Sequence, residues 1–578
     1  MDPRTAAQVL KLIAAFLELR GASKFKSRAY EQAGRAVAAL DTDDLAELDR
    51  NGTLAHTAGL GPATLSVVRD LIATSESRYL EELRAELPAG LVDLLGIPGL
   101  PTPKIRLLHE SLGIDSVDAL EAAIRDGRLA ALKGFGPKTS AKLARGIEIF
   151  RTSGSMLLYH RGALQAHTLL GAVRAHPDVT RAEIAGSVRR HNEVIGDTDI
   201  VAACGTDPIA VANSSANASG VRSVTRQGTA SPSITFVDGV HLDLFCTTES
   251  GFTVALWRAT GSEAHVTTVV ALLARKGIRL SGDTLVDSHG APIPVNNEAD
   301  IYALVDLPFI PAEMREDGEE LLRAVRGPIP PLVEDADIRG ALHCHSDYSD
   351  GKATIAQMAN AARALGWSYI GITDHSQAAF YAGGMSGEKV LEQHEEIDRL
   401  NAESPDFRIL KGIEADILAD GAIDYDADLL DRFDFVVGSV HSRFSMDRAS
   451  MTARMLRALD DPHLTILGHP TGRLLLSRDP YPVDIDAVLE KAVALGVAVE
   501  LNADPKRLDL DWRILRRARA LGATIAIGPD AHSTKGLEVM RIGVGIARKA
   551  GIQADEVLNG RSVNDVLAFA RARREVMH

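Results

Sequence analysis

The spacing of apolar and polar residues changes twice along the chain. In residues 1–150 apolar side chains recur at helical intervals between short glycine-containing breaks, whereas residues 180–245 contain β-branched runs with the two-residue period of a strand. After residue 338, short apolar runs such as YIGITDH and VAVELNA are each followed by a segment of helix length, which is typical of parallel β/α units. The pattern predicts helices first, then an antiparallel or mixed sheet, and then an α/β fold.

Two segments interrupt this organisation. The stretch GPIPP, residues 327–331, is followed by the acidic VEDAD, and it predicts a linker because prolines favour extended chain and charges keep it solvated. The segment GTDPIAVANSSANASG, residues 205–220, is rich in small and turn-forming residues. It favours a loose loop or a poorly formed helix.

Composition excludes a membrane protein and favours a reducing compartment. Hydrophobic residues make up 46% of the chain and charged residues 24%, and no apolar run approaches the roughly 20 residues that span a bilayer. Asp2 and Glu18 interrupt the apolar N-terminal stretch, which favours an amphipathic helix over a signal peptide. Three cysteines are too few for a disulfide framework, so we expect a cytoplasmic protein.

The stretch HCHSDYSDG, residues 343–351, begins a series of ionisable residues at predicted strand ends. A histidine pair alone is more often structural, but nearly every later apolar run also ends in His, Asp or Glu. Because the C-terminal strand ends of a β/α barrel meet at one face, these residues predict one site. Its candidate ligands are His343, His345, Asp350, His375, Glu414, His441, His469, Asp530 and His532. Such a set is costly to bury without cations, and it predicts two or three ions of zinc, manganese or iron.

The net charge of −15 would ordinarily count against nucleic-acid binding, but most of the acidity falls after residue 333. In the first half, TAGLGPAT, IPGLPTPK and KGFGPKTS each place a glycine-containing turn between two helical segments. Such a turn presents backbone N–H groups that suit a DNA phosphate and read no base sequence. The candidate DNA-binding residues are Gly59, Gly61, Gly99, Gly134, Gly136 and Lys138.

The stretch GSVRRHNEVIGDTDI, residues 186–200, predicts a second metal site. Asp197 and Asp199 are two apart and face the same side of a strand, and Asp243 in VHLDLF can supply a third carboxylate. Carboxylates without histidine suit Mg²⁺ or Mn²⁺ bound together with phosphates, although acidic pairs on strands are often only solvated. Ser187 and Arg190 lie where a hydroxyl and a guanidinium could hold a triphosphate.

Both halves resemble known families. Residues 340–578 resemble the PHP (polymerase and histidinol phosphatase) domain through HCHSDYSDG, ITDH, GIEAD, VHS, GHP and PDAH. The resemblance implies a distorted seven-stranded barrel that hydrolyses phosphate esters with a trinuclear cluster, in which Glu414 bridges ions. Residues 1–325 resemble a family X DNA polymerase through KFKSRAYEQAGRAV, GSVRRHNEVIGDTDI, TGSEAH and NNEADIYALVDLPFIPAEMRE. The whole chain resembles the bacterial and archaeal family X polymerases.

The resemblance implies a multidomain fold: all-α helix-hairpin-helix domains, an α+β nucleotidyltransferase palm with a thumb, and an α/β distorted (β/α)7 barrel. The expected domains are an N-terminal helical domain at 1–85, fingers at 86–152, a palm at 153–256, a thumb at 257–326, a linker at 327–338 and the PHP domain at 339–578. In the palm, Asp197, Asp199 and Asp243 would hold metal, and Gly186, Ser187 and Arg190 would hold the nucleotide.

The implied activity is DNA repair, including base excision repair. It combines template-directed gap filling with a 3′→5′ exonuclease or 3′-end-processing phosphodiesterase. The implied partners are gapped, nicked or primer-template DNA and deoxynucleoside triphosphates; we expect no membrane partner and a monomer. The alternative is a PHP nuclease whose polymerase-like half mainly binds DNA, and a third reading is a small-molecule phosphatase.

Four positions depart from the family pattern. Arg258 and Ala259 replace an aromatic pair before the TGS triplet, and Val266 stands where some relatives have a nucleotide-contacting asparagine. These departures favour the alternative, because the aromatic pair helps to select the sugar. Val67 stands where relatives with lyase activity have a lysine, so we expect no strong lyase activity there. Arg473 is a further candidate for a substrate phosphate, and Asp374 for support of His375.

Overall fold

The computed structural model describes residues 3–576 except for residues 39, 41, 43, 75–76, 98, 154–155, 219 and 237–238. Pro98, in IPGLPTPK, therefore lies outside the described residues. The chain divides into an N-terminal unit, Met1–Gly154, and a C-terminal unit, Ser155–His578. Among the described residues, no helix has both the length and the apolar character needed to cross a bilayer.

The N-terminal unit is helical, as the spacing of its apolar residues predicts. Its α-helices are α1 (Pro3–Leu19), α2 (Lys24–Ala38), α3 (Leu45–Arg50), α4 (Pro62–Thr74), α5 (Arg78–Ala85), α6 (Ala89–Asp93), α7 (Thr102–Leu112), α8 (Val117–Arg125), α9 (Arg128–Ala131) and α10 (Pro137–Ser153). Two apolar clusters form its core, one around Leu10 and Phe16 of α1 and one around Leu108 and Phe135.

The three predicted glycine turns precede α4, α7 and α10. Gly59, Gly99 and Gly134 have φ values of +94°, +80° and +94°, a region that glycine enters without steric cost. A helix begins three residues after each of them, with a proline in its first or second position. The local sequence therefore explains this repeated turn.

The C-terminal unit contains the remaining elements. Its α-helices are α11 (Tyr159–Arg174), α12 (Gly186–Arg189), α13 (Pro208–Ala216), α14 (Phe252–Thr260), α15 (Glu263–Arg275), α16 (Glu298–Ala303), α17 (Glu319–Arg326), α18 (Ile355–Ala364), α19 (Gly387–Glu403), α20 (Ala427–Leu430), α21 (Arg448–Leu459), α22 (Ile485–Ala494), α23 (Trp512–Ala520), α24 (Met540–Ala550) and α25 (Val563–Val576). Its strands are β1 (Leu157–Leu158), β2 (Val179–Ile184), β3 (Val194–Ile195), β4 (Thr198–Cys204), β5 (Val221–Gly228), β6 (Ser231–Phe236), β7 (His241–Thr248), β8 (Arg279–Ser281), β9 (Thr284–Val286), β10 (Pro292–Ile293), β11 (Gly340–Ala341), β12 (Tyr369–Ile372), β13 (Arg408–Asp416), β14 (Phe435–Ser439), β15 (Leu464–Leu467), β16 (Ala498–Asn502) and β17 (Ile525–Gly528).

The first large sheet is mixed and has the order β2-β4-β7-β6-β5. Only β4 and β7 pair in parallel, and their register places Asp199 opposite Asp243. Residues 205–220, which favoured a loose loop or a poorly formed helix, form α13 over Pro208–Ala216, because Asp207 caps its first turn through the backbone N–H of Ile209.

The second large sheet is parallel and has the order β11-β12-β13-β14-β15-β16-β17, as the alternation of strands and helices predicts. Beyond the ends of the outer strands, Cys344 bridges Ala531 in parallel, and the Ala531 carbonyl accepts from the His345 backbone N–H at 2.9 Å. The seven strands therefore curl into a nearly closed barrel. Apolar side chains from the strands and the surrounding helices form one large core cluster. A capping box of Thr354 and Gln357 stabilises the first turn of α18, which contributes to this core.

Candidate metal centres and nucleotide-binding loop

The barrel brings the nine predicted ligands to one mouth. Each lies at or just beyond the C-terminal end of a strand: His343 and His345 after β11, Asp350 in the following turn, His375 after β12, Glu414 in β13, His441 after β14, His469 after β15, and Asp530 and His532 after β17. Parallel strands end at the same face, which is why residues from distant parts of the chain meet. Asp530 adopts a left-handed backbone with φ of +50°, which is sterically costly for a side chain with a Cβ.

Glu414 lies at the centre of this group and is 1% exposed. Its carboxylate faces five imidazoles: His343 Nε2 at 3.4 Å, His345 Nε2 at 3.7 Å, His375 Nδ1 at 3.0 Å, His441 Nε2 at 3.3 Å and His469 Nε2 at 3.0 Å. A carboxylate among so many ring nitrogens can bridge cations held by those rings.

A second part of the cluster surrounds Asp350 and Asp530. The Asp350 carboxylate lies 3.6 Å from His375 Nε2 and 3.3 Å from His532 Nε2, and Asp530 lies 3.2 Å from His345 Nε2. Potential ligand atoms lie within 4.8 Å of one another in three overlapping groups, so more than one ion fits: His345, Asp350, His375 and His532; His343, His345 and Asp530; and His375, Glu414 and His441.

Buried nitrogens without partners indicate that cations belong here. Among the described residues, His343 Nε2, both ring nitrogens of His345, and His469 Nδ1 make no hydrogen bond. Burial lowers the pKa of His345 and His469 to about 3, so both rings are neutral at neutral pH and retain a lone pair. Neutral imidazole is the form that binds metal. The donor set fits divalent ions.

The carboxylates of the centre remain ionised despite their burial. Burial alone would raise the pKa of Glu414, but His441, His343 and His375 hold it well below its usual range. Conversely, burial would lower the pKa of His441, yet Glu414 and Asp416 raise it to about 9. The Glu414 carboxylate and the His441 ring therefore stabilise each other's charged forms.

Two supporting carboxylates were missed from the sequence. Glu500 on β16 accepts hydrogen bonds from His343 Nδ1 at 2.6 Å and from the His469 backbone N–H at 2.6 Å. Asp416 at the end of β13 accepts from His441 Nδ1 at 2.7 Å. Each bond fixes the orientation of a ring and leaves its Nε2 pointing at Glu414. A charged residue inside the apolar run VAVELNA was the available signal for Glu500.

The side chains of Asp374 and Arg473 are hydrogen-bonded to other protein groups. Asp374 is fully buried and accepts from the hydroxyls of Ser346 and Ser349 and, at 2.7 Å, from the Gln393 amide. The expectation that Arg473 holds a substrate phosphate is wrong for this conformation, because its guanidinium is committed elsewhere.

The partners of Arg473 lie in the turn before β3 and within the barrel. Its guanidinium donates to Glu193 at 2.6 Å and to Asp511 at 2.9 Å, and also to the carbonyls of Arg507 and Leu508. Arg507 instead lies 3.5 Å from Asp530, with 18% of its side chain exposed, and is the arginine at the edge of the centre.

The three aspartates of the mixed sheet form a separate acidic group. Burial, followed by repulsion from Asp197 and Asp243, raises the pKa of Asp199 to about 7. Burial and Asp243 also raise the pKa of Asp197. A bound divalent cation would relieve this repulsion, so these residues also fit a metal ion.

The start of α12, between β2 and β3, packs tightly against Asp199. Gly186 has φ of +55°, and a Cβ at this position would lie 1.7 Å from Asp199 Oδ2, so only glycine fits. The neighbouring Ser187 hydroxyl oxygen is buried and has no hydrogen-bond partner among the described residues. The backbone of this segment can therefore approach a ligand that the aspartates hold.

Arg190 is held by protein groups in this conformation. Its Nε donates to Glu316 at 2.8 Å and its Nη1 donates to the Thr260 carbonyl at 2.8 Å. Lys549 of α24 also contacts Glu316 and donates to the Arg190 carbonyl at 2.9 Å. Arg190 can reach a triphosphate only by exchanging these partners.

The positions that depart from the family pattern have defined surroundings. Arg258 pairs with Asp283 at 2.7 Å and donates to the Gly282 carbonyl at 3.0 Å, which holds its side chain against the β8–β9 turn. Val266 packs beside Gly261, and Val67 is buried in α4.

The candidate DNA-binding residues lie in the three glycine turns of the N-terminal unit. Lys138 is exposed in the first turn of α10. The N–H of Gly61 donates to the Thr64 hydroxyl at 2.9 Å and is already satisfied, which leaves that turn with fewer donors for a phosphate.

The fold and the two sites define a chain that joins a carboxylate-based nucleotidyltransferase module to a barrel whose mouth gathers His, Asp and Glu residues that could hold metal ions. Residues 341–502 match the PHP domain, and residues 255–316 match the DNA polymerase beta thumb. The chain is 36% identical to the DNA polymerase/3′-5′ exonuclease PolX of Bacillus subtilis (strain 168), over 99% of this chain and 100% of that protein.

Shorter matches cover the barrel. A probable phosphatase of Thermoanaerobacter sp. (strain X514) is 29% identical over 38% of this chain and 88% of its own length. A probable phosphatase of Shewanella oneidensis is 32% identical over 28% of this chain and 66% of its own length. The chain belongs to the family X DNA polymerases that carry a PHP domain, which confirms the resemblance and the fold class.

Proposed function

We propose that this chain is a DNA repair enzyme with two active sites. The mixed sheet performs template-directed gap filling, and the barrel performs 3′→5′ exonucleolytic or 3′-end-processing hydrolysis. The observation that carries the proposal is the presence of two chemically different donor sets in one chain. One has three carboxylates without histidine. The other has nine His, Asp and Glu residues, of which eight lie in the three overlapping groups and the ninth, His469, lies 3.0 Å from Glu414. The full-length relative in Bacillus subtilis is named for both activities.

In the synthetic site, Asp197, Asp199 and Asp243 hold Mg²⁺ or Mn²⁺. These ions supply charge neutralisation for a triphosphate and for the oxygens of the attacking and leaving groups. Gly186 lets the backbone approach the phosphates, and Ser187 offers its unpartnered hydroxyl. Arg190 contributes its guanidinium once it leaves Glu316.

In the barrel, the nine residues would hold two or three zinc, manganese or iron ions. Such ions would supply an activated water and would stabilise the leaving oxygen of a phosphodiester. Glu414 positions the centre by facing five rings at once, while Glu500 and Asp416 set the orientation of His343 and His441. Arg507 places a positive charge beside the centre, where a phosphate of the DNA strand would lie.

The glycine turns of the N-terminal unit support backbone binding to gapped or nicked DNA, since exposed helix N-termini favour phosphates. We include Gly59, Gly99, Gly134, Gly136 and Lys138 in this surface, and we give Gly61 a supporting part. The three cysteines are buried and unpaired, which supports a cytoplasmic location. A monomer is the state that we propose.

The test is a pair of variants of the full-length protein assayed on gapped DNA. Asp197→Ala should abolish synthesis and spare hydrolysis, because it removes a ligand from the synthetic site alone. His343→Ala should abolish hydrolysis and spare synthesis. The proposal fails if either variant keeps both activities, or if one variant loses both while remaining folded by circular dichroism.

The alternative function that the sequence left open, which Arg258 and the held conformation of Arg190 suggest, has no support from the full-length relative, because that protein is named for both activities. In this reading the first half mainly binds and positions DNA for the nuclease, with feeble synthesis. Primer extension with each of the four deoxynucleotides decides between the two. Robust filling of a one-nucleotide gap at micromolar nucleotide would eliminate this second reading, whereas tight DNA binding with negligible extension would support it.

A further inference from the structure

We propose that Phe380 and Tyr381 form a stacking subsite for an unpaired nucleobase at the mouth of the barrel; this rests on the proposed hydrolysis of DNA ends. Phe380 is 85% exposed and Tyr381 is 61% exposed, although both side chains are large and mainly apolar. Two adjacent exposed aromatic residues leave apolar surface in water, which is unfavourable unless a ligand covers it.

The pair lies beside the metal centre. The ring centroid of Tyr381 is 6.5 Å from that of His375 and 6.4 Å from that of His441, both candidate ligands. The Phe380 ring is 6.0 Å from the Tyr381 ring at an angle of 79°, so the two rings present a face and an edge. A nucleotide whose phosphate lies at the centre would therefore have its base within reach of these rings.

The segment that carries the rings is internally bonded. The N–H of Met385 donates to the His375 carbonyl at 2.9 Å, which closes a loop between these two residues. Within it, Ala379 N–H donates to the Ser376 carbonyl at 3.0 Å, and Gly384 N–H donates to the Ala379 carbonyl at 3.1 Å. Ala379 and Met385 are fully buried. Their burial anchors the loop, so the aromatic rings are held outward before a ligand arrives.

Glycine is required at one side of this loop. A Cβ at Gly384 would lie 2.0 Å from the Ser376 carbonyl oxygen, and Gly383 has φ of +71°. The tight return of the chain is what turns Phe380 and Tyr381 away from the core. Preorganised rings lose little side-chain entropy on binding, which favours a stacking role.

The charges around the pair favour a nucleotide. Arg507 lies 3.5 Å from Asp530 at the edge of the centre, with 18% of its side chain exposed. A nucleotide would have its phosphate beside Arg507 and the metal ligands, and its base against the rings.

Stacking of a base on an aromatic side chain corresponds to about 5-fold to 150-fold in affinity. The probe is a single-stranded oligonucleotide that ends in 2-aminopurine, preceded by an abasic residue so that the fluorescent base has no neighbour. Quenching by the full-length protein reports stacking. We expect the Phe380→Ala/Tyr381→Ala double variant to weaken quenching-detected binding by at least about 5-fold and Phe380→Trp to retain it.

Phe25→Ala is the matched control, because Phe25 is also 85% exposed but lies in the N-terminal unit. It should leave the quenching unchanged.

In the hydrolysis assay, wild type should remove a 3′-terminal thymidine with a KM at least about 5-fold below that for an abasic 3′ end. The double variant should lose this preference while its kcat on the abasic end and its metal content stay the same.

Equal quenching by wild type and the double variant overturns the subsite. The double variant could instead change the oligomeric state in light scattering and leave quenching unchanged. That result would assign the rings to contact with a second copy of the chain and would also overturn the subsite. If wild type quenches the probe through these rings but hydrolyses neither end, the proposed hydrolysis fails while the subsite stands. The two proposals can therefore fail separately.

Discussion

Replacing Glu500 with glutamine should weaken metal binding in the barrel without altering any candidate ligand. Glu500 is 1% exposed, and its two oxygens accept from His343 Nδ1 and from the His469 backbone N–H, each at 2.6 Å. Glutamine has the same size but only one acceptor oxygen, because its second terminal atom is an amide nitrogen that donates. One of the two buried donors must therefore lose its acceptor.

The expected magnitude follows from this lost bond. A hydrogen bond to a charged group contributes about 1.5–3 kcal/mol, and outer partners of metal-bound histidines typically change metal affinity by about 10-fold to 100-fold. At about 1.4 kcal/mol per tenfold, the two magnitudes agree. We therefore expect Glu500→Gln to weaken the tightest barrel ion by about 10-fold to 100-fold.

The change in metal affinity is measured by competition with a chromophoric chelator. Metal analysis of the dialysed full-length protein follows. Hydrolysis at limiting metal should fall in proportion and recover when metal is raised, whereas synthesis should be unaffected. Asp461→Asn is the matched control, because Asp461 accepts from His463 Nδ1 at 2.9 Å outside the cluster. Wild-type metal affinity in Glu500→Gln would refute the reasoning that Glu500 orients His343.

Three further predictions concern the mixed sheet and its surroundings. Gly186→Ala should lower kcat/KM for nucleotide incorporation more than about 100-fold while leaving hydrolysis unchanged, because the new Cβ would collide with Asp199 Oδ2; near-normal incorporation would contradict it. In chelator, the native pKa of about 7 for Asp199 means that folded protein takes up a proton as pH falls from 7 towards 4. Asp199 should therefore make wild type more stable relative to Asp199→Asn as pH falls over that window, by up to about 4 kcal/mol; thermal melts in which the two proteins show the same pH dependence would contradict this. Gly545→Ala on α24 would place a Cβ 1.7 Å from His191 Nδ1 and should cost about 1–3 kcal/mol in urea unfolding; an unchanged midpoint would show that His191 moves freely.

Local sequence was enough to predict the two classes of site chemistry and the fold. His343 and His345 stand two residues apart, which indicates that both face the same side of a strand. Glu414, His469 and Asp530 each follow an apolar run. Parallel strands must end at one face, so those separate signals by themselves imply a common pocket. Likewise, the glycine turns before α4 and α10 are local features, because a positive φ shortly before a helix depends only on neighbouring residues.

Only the tertiary structure decided which partners hold those residues in place. Arg473 could be expected near a phosphate from its sequence neighbours, but it is paired with Glu193, which lies 280 residues earlier. Glu316 likewise engages Arg190 across 126 residues. Periodicity reports the face on which a side chain lies, whereas pairing between distant elements depends on how the sheet and barrel pack. The local sequence therefore determined the candidate ligands, and tertiary packing determined which side chains hold the surrounding residues in place.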